Sequence, residues 1–140
     1  MADYTTELDC VRTFLLAVHT TATTEHFPAE AGKVINIVDA SFEKILVHPP
    51  ELIGSGGDDF YWKRYKLEIE VPTEGLMMSA MNNIIIGIRK FNKRTTIAAF
   101  VYASAPTMCH LKLGKGSLVD ALANGKWRCD LWLDVQWSTS

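Results

Sequence analysis

The sequence predicts an α+β domain, a mostly antiparallel sheet of four to six strands with two main helices packed on one face. Three observations carry that expectation. Residues 61–71 and 125–137 alternate apolar and polar with a period of two, as strands with one buried and one wet face do. Residues 3–21 and 72–94 repeat instead with the 3.6-residue period of amphipathic helices. The links between these stretches suit hairpins better than the long crossovers of a parallel sheet.

Taken in order, "DYTTELDCVRTFLLAVHTT" opens as a helix. Asp3, Thr5 and Thr6 are candidate N-caps, and Glu7 and Asp9 place negative charge in the first turn. Leu8, Val11, Leu15 and Val18 share one helical face. "TTATTEHFPAEAG" breaks the pattern, with threonines that resist helix and with Pro28 and Gly32 as punctuation. "KVINIV" and "FEKILVH" are short apolar or β-branched runs, each a candidate strand. "PPELIGSGGDDF" reads as a loop, spaced by Pro49, Pro50, Gly54, Gly56 and Gly57.

"YWKRYKLEIEV" then turns Tyr65, Leu67, Ile69 and Val71 inward and Arg64, Lys66, Glu68 and Glu70 outward, ending at Pro72. Thr73 is placed to cap a helix whose inner stripe is Met77, Met81, Ile84, Ile88 and Phe91. "TTIAAFVYAS" is the kind of apolar run that is buried on both faces of a sheet. "APTMCHLKLGKGS" reads as a turn and a short strand, and "SLVDALANG" as one or two helical turns closed by Gly125. "GKWRCDLWLDVQW" is the final strand.

Composition narrows the class. At 140 residues, 48% apolar and 21% charged, residues 1–140 form a single domain large enough to bury a core. A net charge of −2 does not favour generic binding to nucleic acid or anionic membranes. Cys10, Cys109 and Cys129 form no C-x-x-C pair, and their odd number argues against a disulfide framework. They read as reduced thiols of a protein folded in a cytoplasm. The N-terminus lacks the basic and apolar regions of an export signal. No apolar run approaches the roughly 20 residues needed to span a bilayer.

Catalytic patterns are missing. "LGKGS" (113–117) has Cys109 and Gly116 where a phosphate loop needs Gly and Ser or Thr, so a hairpin turn is the better reading. His19, His26, His48 and His110 match no metal spacing; His19 and His26, seven apart, could share a face of a longer helix, but the threonine-rich stretch between them makes surface residues the better reading. Asp58 and Asp59 are adjacent carboxylates in a loop, which are usually just solvated. No nucleophile with a base in reach is legible. The expectation is a protein that is no enzyme and takes no cofactor or metal.

Two features point to binding. In "RKFNKR", Arg89, Lys90, Lys93 and Arg94 could touch a nucleic-acid backbone, yet cations also complement a helix C-terminus and Phe91 falls on the core stripe. The second feature is Trp132, which sits among Arg128, Asp130, Asp134 and Gln136 on the side of its strand that should be wet. Alternation puts Phe60 and Trp62 on the outward side too, with Arg64 and Glu68. A loop or helix of the chain itself could cover that face. A neighbouring subunit could instead, with Phe60, Trp62, Arg64, Arg128 and Trp132 as its contacts, since Trp, Tyr and Arg are enriched at the centres of interfaces.

The order of these elements resembles the tail terminator and tail completion proteins of long-tailed bacteriophages. The likeness lies in an N-terminal helix, a proline- and glycine-bearing loop, the strand "RYKLEIEV", the helix "EGLMMSAMNNIIIGIRKF" and the tryptophan-rich strand "WRCDLWLDVQW". It implies a virion structural protein of the tail or neck, assembled in the host cytoplasm. Such subunits form a ring, usually of six, on the end of the tail tube; the ring stops tube polymerisation and joins the head connector. The implied partners are further copies of this chain, the tail tube protein, the head connector protein and DNA passing through the channel without specific binding, with no membrane. The family has no motif on which functional residues could be carried over. Another neck or head–tail connector component, and a small nucleic-acid-binding α+β domain, stay open beside it.

Overall fold

The computed structural model describes residues 4–26, 43–55, 60–95, 97, 107–116 and 119–138. In chain order these form α1 (Tyr4–Val18), β1 (Thr23–His26), β2 (Lys44–Val47), β3 (Glu51–Ser55), β4 (Phe60–Val71), α2 (Glu74–Asn92), β5 (Thr107–Gly116), β6 (Asp120–Ala121) and β7 (Trp127–Ser138). The seven strands make one sheet, ordered β1-β2-β4-β7-β5. β3 pairs with β4 on the side that also carries β2, and β6 pairs with β7 on the side that carries β5. β1 runs parallel to β2, and the other six strands are joined antiparallel. The α+β class is as the periodicities predict.

β4 and β7 are the axis of the sheet, in unbroken register from Phe60 opposite Ser138 to Val71 opposite Trp127. Their inward sets are buried against the helices: Tyr65, Leu67, Ile69 and Val71 on one, Cys129, Leu131, Leu133, Val135 and Trp137 on the other. Full burial of each large apolar side chain stabilises by about 1.5–3 kcal/mol relative to exposure, and this double row is the centre of the core.

Both helices lie on that same face. α1 buries Leu8, Val11, Phe14 and Leu15, and α2 buries Met77, Ala80, Ile84, Ile88 and Phe91. Phe14 meets Phe91 edge to face at 5.8 Å. The helices approach closely at Gly87, where a Cβ would lie 2.4 Å from Val18 Cγ1. Thr73 caps α2 as its position predicts, its hydroxyl accepting from Leu76 N at 3.2 Å. Thr5 and Thr6 fall inside α1, which starts at Tyr4, so neither precedes the helix as a cap; Asp3 lies outside the described residues.

Buried polar groups tie α1 to the sheet. Glu7 is fully buried, and its carboxylate accepts from Lys63 Nζ at 2.7 and 3.0 Å and from the Tyr61 hydroxyl at 2.9 Å. The Tyr65 hydroxyl donates at 3.4 Å and accepts in turn from Trp137 Nε1 at 3.0 Å. Lys63 therefore occupies an inward position of β4 with its charge answered from the helix above it.

Four expectations are corrected. Residues 120–126 are not helical: β6 and β7 form a hairpin, with Gly125 N donating to Leu122 O and Leu122 N to Lys126 O. Gly125 has φ +84°, the left-handed value that Asn-Gly turns supply, so "ANG" is a hairpin signal and not a helix stop. Within the predicted 49–60 loop, Glu51–Ser55 is a strand, paired with β4 through a register shift between Leu52 and Gly54. The threonine-rich stretch after α1 contains β1, because β-branched Thr suits an edge strand as well as a loop. "LGKG" lies inside β5, a ten-residue strand with register shifts between Met108 and His110 and between Leu113 and Lys115, so it is a bulged edge and not a turn. The candidate strand "KVINIV", most of "TTIAAFVYAS", and Asp58 and Asp59 lie outside the described residues.

Candidate functional site

The side of the sheet away from the helices carries no described helix, and there the outward residues of β4 and β7 meet in pairs. Along the strands the order is Trp62 with Gln136, Arg64 with Asp134, Lys66 with Trp132, Glu68 with Asp130, and Glu70 with Arg128. The two tryptophans are thus separated by one ion pair. Phe60, at the end of β4, is 38% exposed, while Trp62, Arg64, Arg128 and Trp132 are partly exposed. All five predicted contact residues share this one surface.

The structure explains how an aromatic ring is accommodated among charges. Lys115 Nζ lies 4.6 Å from the centroid of the Trp132 ring and Lys66 Nζ lies 6.0 Å from it. Lys112 Nζ lies 4.6 Å from the Trp62 ring, whose edge-to-face partner is His110 at 6.0 Å. Each contact of this kind stabilises by about 0.5–1 kcal/mol at an exposed site and by more once water is excluded. A further surface laid over the rings would strengthen them.

Between the rings, Arg64 donates to Asp134 through Nε at 2.7 Å and a terminal nitrogen at 3.0 Å. That bond raises the guanidinium pKa further, so its charge is permanent. Asp134 is only 1% exposed, with Gly114 of the neighbouring β5 packed close against its carboxylate. At Gly114 a Cβ would fall 2.6 Å from Asp134 Oδ1 and 2.8 Å from Arg64 Nε. Towards the other end, Arg128 donates to Glu68 at 3.0 Å and Asp130 at 3.3 Å, and His48 meets Glu68 at 3.3 Å.

β5 supplies two residues that the periodicity does not reveal. Lys112 and Lys115 are three residues apart and would face opposite sides of a regular strand. The shift at Gly114 inserts one extra residue, so both face the open side. The only signal in the sequence is a glycine between two lysines, which fits many other geometries.

Arg89, Lys90, Lys93 and Arg94 are exposed at the C-terminal end of α2 and are not brought to the tryptophan face. Phe91 between them is fully buried, as its place on the stripe predicts. The Arg94 guanidinium donates to Cys109 O at 2.8 Å and stacks 4.8 Å from the Phe91 centroid. Asn92 lies against the outer edge of β5, its amide donating to Leu111 O at 2.7 Å and its carbonyl accepting from Leu111 N at 2.9 Å.

His19 is not a surface residue: it is 3% exposed. Asn83 Nδ2 faces its Nδ1 at 2.9 Å, and Nε2 lies 3.0 Å from Glu43 Oε1 and 3.3 Å from Thr21 Oγ1. This network joins the end of α1, the middle of α2 and the residue before β2. His48 is partly buried and His110 exposed; His26 lies in β1. Among the described residues no three His, Cys, Asp or Glu side chains gather as a metal site. Cys10, Cys109 and Cys129 form no disulfide among the described residues. Burial, then Asp9, pushes the Cys10 thiol up to about 11, and burial also raises Cys109 against the opposing pull of Arg94. Such thiols are poor nucleophiles. No helix among the described residues is long and apolar enough to cross a membrane.

No family model and no curated protein matches this chain. Among solved structures it is similar to a chain of the virion of a native gene transfer agent particle, at 11% identity and a TM-score of 0.47, over 89% of this chain and 84% of that one.

Proposed function

We propose that this chain is a non-enzymatic structural subunit of a phage-like virion, a tail terminator-like protein. Its ring closes the end of the tail tube, stops tube growth and meets the head connector, and DNA crosses its channel without specific contacts. One observation carries the assembly part of this reading. Two adjacent central strands present Trp62 and Trp132, partly exposed, on a sheet face that no described helix covers. The tail-specific part rests on the order of elements in the sequence.

Light scattering on the purified full chain after size exclusion tests assembly. The expected result is a closed oligomer, weakened by Trp132→Ala with the fold retained. Leu133→Ala should instead destabilise by about 2–5 kcal/mol as a core truncation. If Trp132→Ala unfolds the chain as severely as Leu133→Ala, the ring belongs to the core and not to an interface. A strict monomer that binds DNA with a steep salt dependence would favour the nucleic-acid reading through Arg89, Lys90, Lys93 and Arg94. Adding the chain to growing tail tubes separates a terminator, which halts growth, from another neck component, which does not.

A further inference from the structure

Charge in this protein is segregated along the chain. From Gly75 to Val119 there is no Asp or Glu, yet six of the fourteen Lys and Arg residues lie there. The rest of the chain holds all sixteen carboxylates against eight cations. A segment of +6 is therefore joined to a remainder of −8, which the net charge of −2 conceals.

The fold gathers the exposed cations of that segment, and the side of the sheet that carries β5 bears one exposed carboxylate as well, Asp120 of β6. The cationic segment supplies α2 and β5, and β5 is one end of the strand order. Among the described residues, every exposed Lys or Arg belongs to it: Arg89, Lys90, Lys93, Arg94, Lys112 and Lys115. At the opposite edge, β3 carries exposed Glu51 and α1 carries exposed Asp9. The described cations of that half are at least partly buried, with Lys63 held by Glu7 and Arg12 3.7 Å from Asp9. Both edges also expose apolar side chains: Leu52 at 67% and Ile53 at 37% on β3, and Leu113 at 38% on β5.

We infer that the β5 edge of one copy docks side chain to side chain against the β3 edge of the next. Lys112 and Lys115 face Glu51 in this contact, which also covers Leu113, Leu52 and Ile53. The two surfaces are different and complementary, so the contact is head to tail, the arrangement that closes into a ring when its rotation divides the circle. Backbone pairing is not how β5 takes part, because Asn92 already holds both peptide groups of Leu111. This contact rests on the self-assembling reading proposed for the chain and names the surfaces that would make the ring.

Sedimentation velocity on the full chain, in about 0.05 M and about 0.5 M salt, tests it, since the higher salt shortens the screening length severalfold. Wild type should associate about tenfold more weakly at high salt, as a steered charge contact does. A Lys112→Glu/Lys115→Glu variant has two acidic edges and Glu51→Lys has a basic β3 edge. Each alone should associate about tenfold more weakly, and an equimolar mixture should recover association by alternating. The neutral pair Lys112→Gln/Lys115→Gln, checked for folding by circular dichroism, should lose the salt dependence and serves if the charge reversals misfold. Association unchanged in all these variants but lost in Trp132→Ala would overturn the edge contact while leaving face-mediated assembly standing. A wild type that is monomeric at both salts would overturn both. A monomer that binds a short random-sequence DNA duplex through Lys112 and Lys115 would make the cationic edge a polyanion site and overturn the self-contact.

Discussion

Replacing Glu7 by Ala tests whether the buried polar cluster between α1 and β4 holds the domain together. The carboxylate is fully buried and takes two contacts from Lys63 and one each from Tyr61 and Tyr65. Its removal leaves the Lys63 ammonium, whose side chain is 19% exposed, without its counter-ion. Breaking a buried pair from one side costs about 3–5 kcal/mol, mostly for the charge left behind. Against a typical total stability of about 5–15 kcal/mol that is a large fraction. With an unfolding entropy of roughly 2.1 cal/mol/K per residue, it corresponds to a fall in Tm of about 10–17 °C for a chain of this length. Urea denaturation followed by tryptophan fluorescence, with calorimetry for Tm, reads both quantities. Removing both partners in Glu7→Leu/Lys63→Met should recover most of the loss, because no charge then remains buried. A loss below about 1 kcal/mol for Glu7→Ala would show that Lys63 simply turns to water and that the cluster does not hold α1 to the sheet.

Two further perturbations probe packing and titration. Gly87→Ala sets a methyl group against Val18 and should cost about 1–3 kcal/mol by overpacking, whereas Val18→Ala/Gly87→Ala should cost less than the sum of the single changes. Strict additivity in urea unfolding would place the clash elsewhere. Burial and Glu7 raise the Tyr61 and Tyr65 phenols above their ordinary 10.0, and burial raises Cys10 from 9.0 to about 11. Above those ordinary values only the unfolded chain sheds the protons, so the contribution of these groups to stability should be full below about pH 9 and decline as pH rises beyond it. Urea midpoints that stay constant to pH 11 would contradict this.

The axis of the fold is legible because β4, β7 and α2 each bury one face only, and burial of one face writes its period into the sequence. Trp132 and Trp62 fall on the outward side for that reason. The same parity argument fails in β5, where the shift at Gly114 brings Lys112 and Lys115 to one side and no residue announces the extra position. "SLVDALANG" misleads because Leu118, Leu122 and the alanines suit a helix, while the Asn124–Gly125 pair that turns the chain back is read only once its partner strand is known. His19 looks like a surface residue in the sequence because its partners Asn83 and Glu43 are far away along the chain. Contacts of that kind leave no local pattern.

The carboxamide of Asn92 presents a carbonyl and an amide in the arrangement of a peptide group, so a helix residue plays the part of a missing strand for Leu111. A bare strand border invites edge-to-edge pairing between copies of a chain, with fibrils as the outcome. Here the outermost described strand is stoppered at its middle by its own helix, and cutting that stopper to Ala would open the Leu111 backbone to pairing with a strand of another copy.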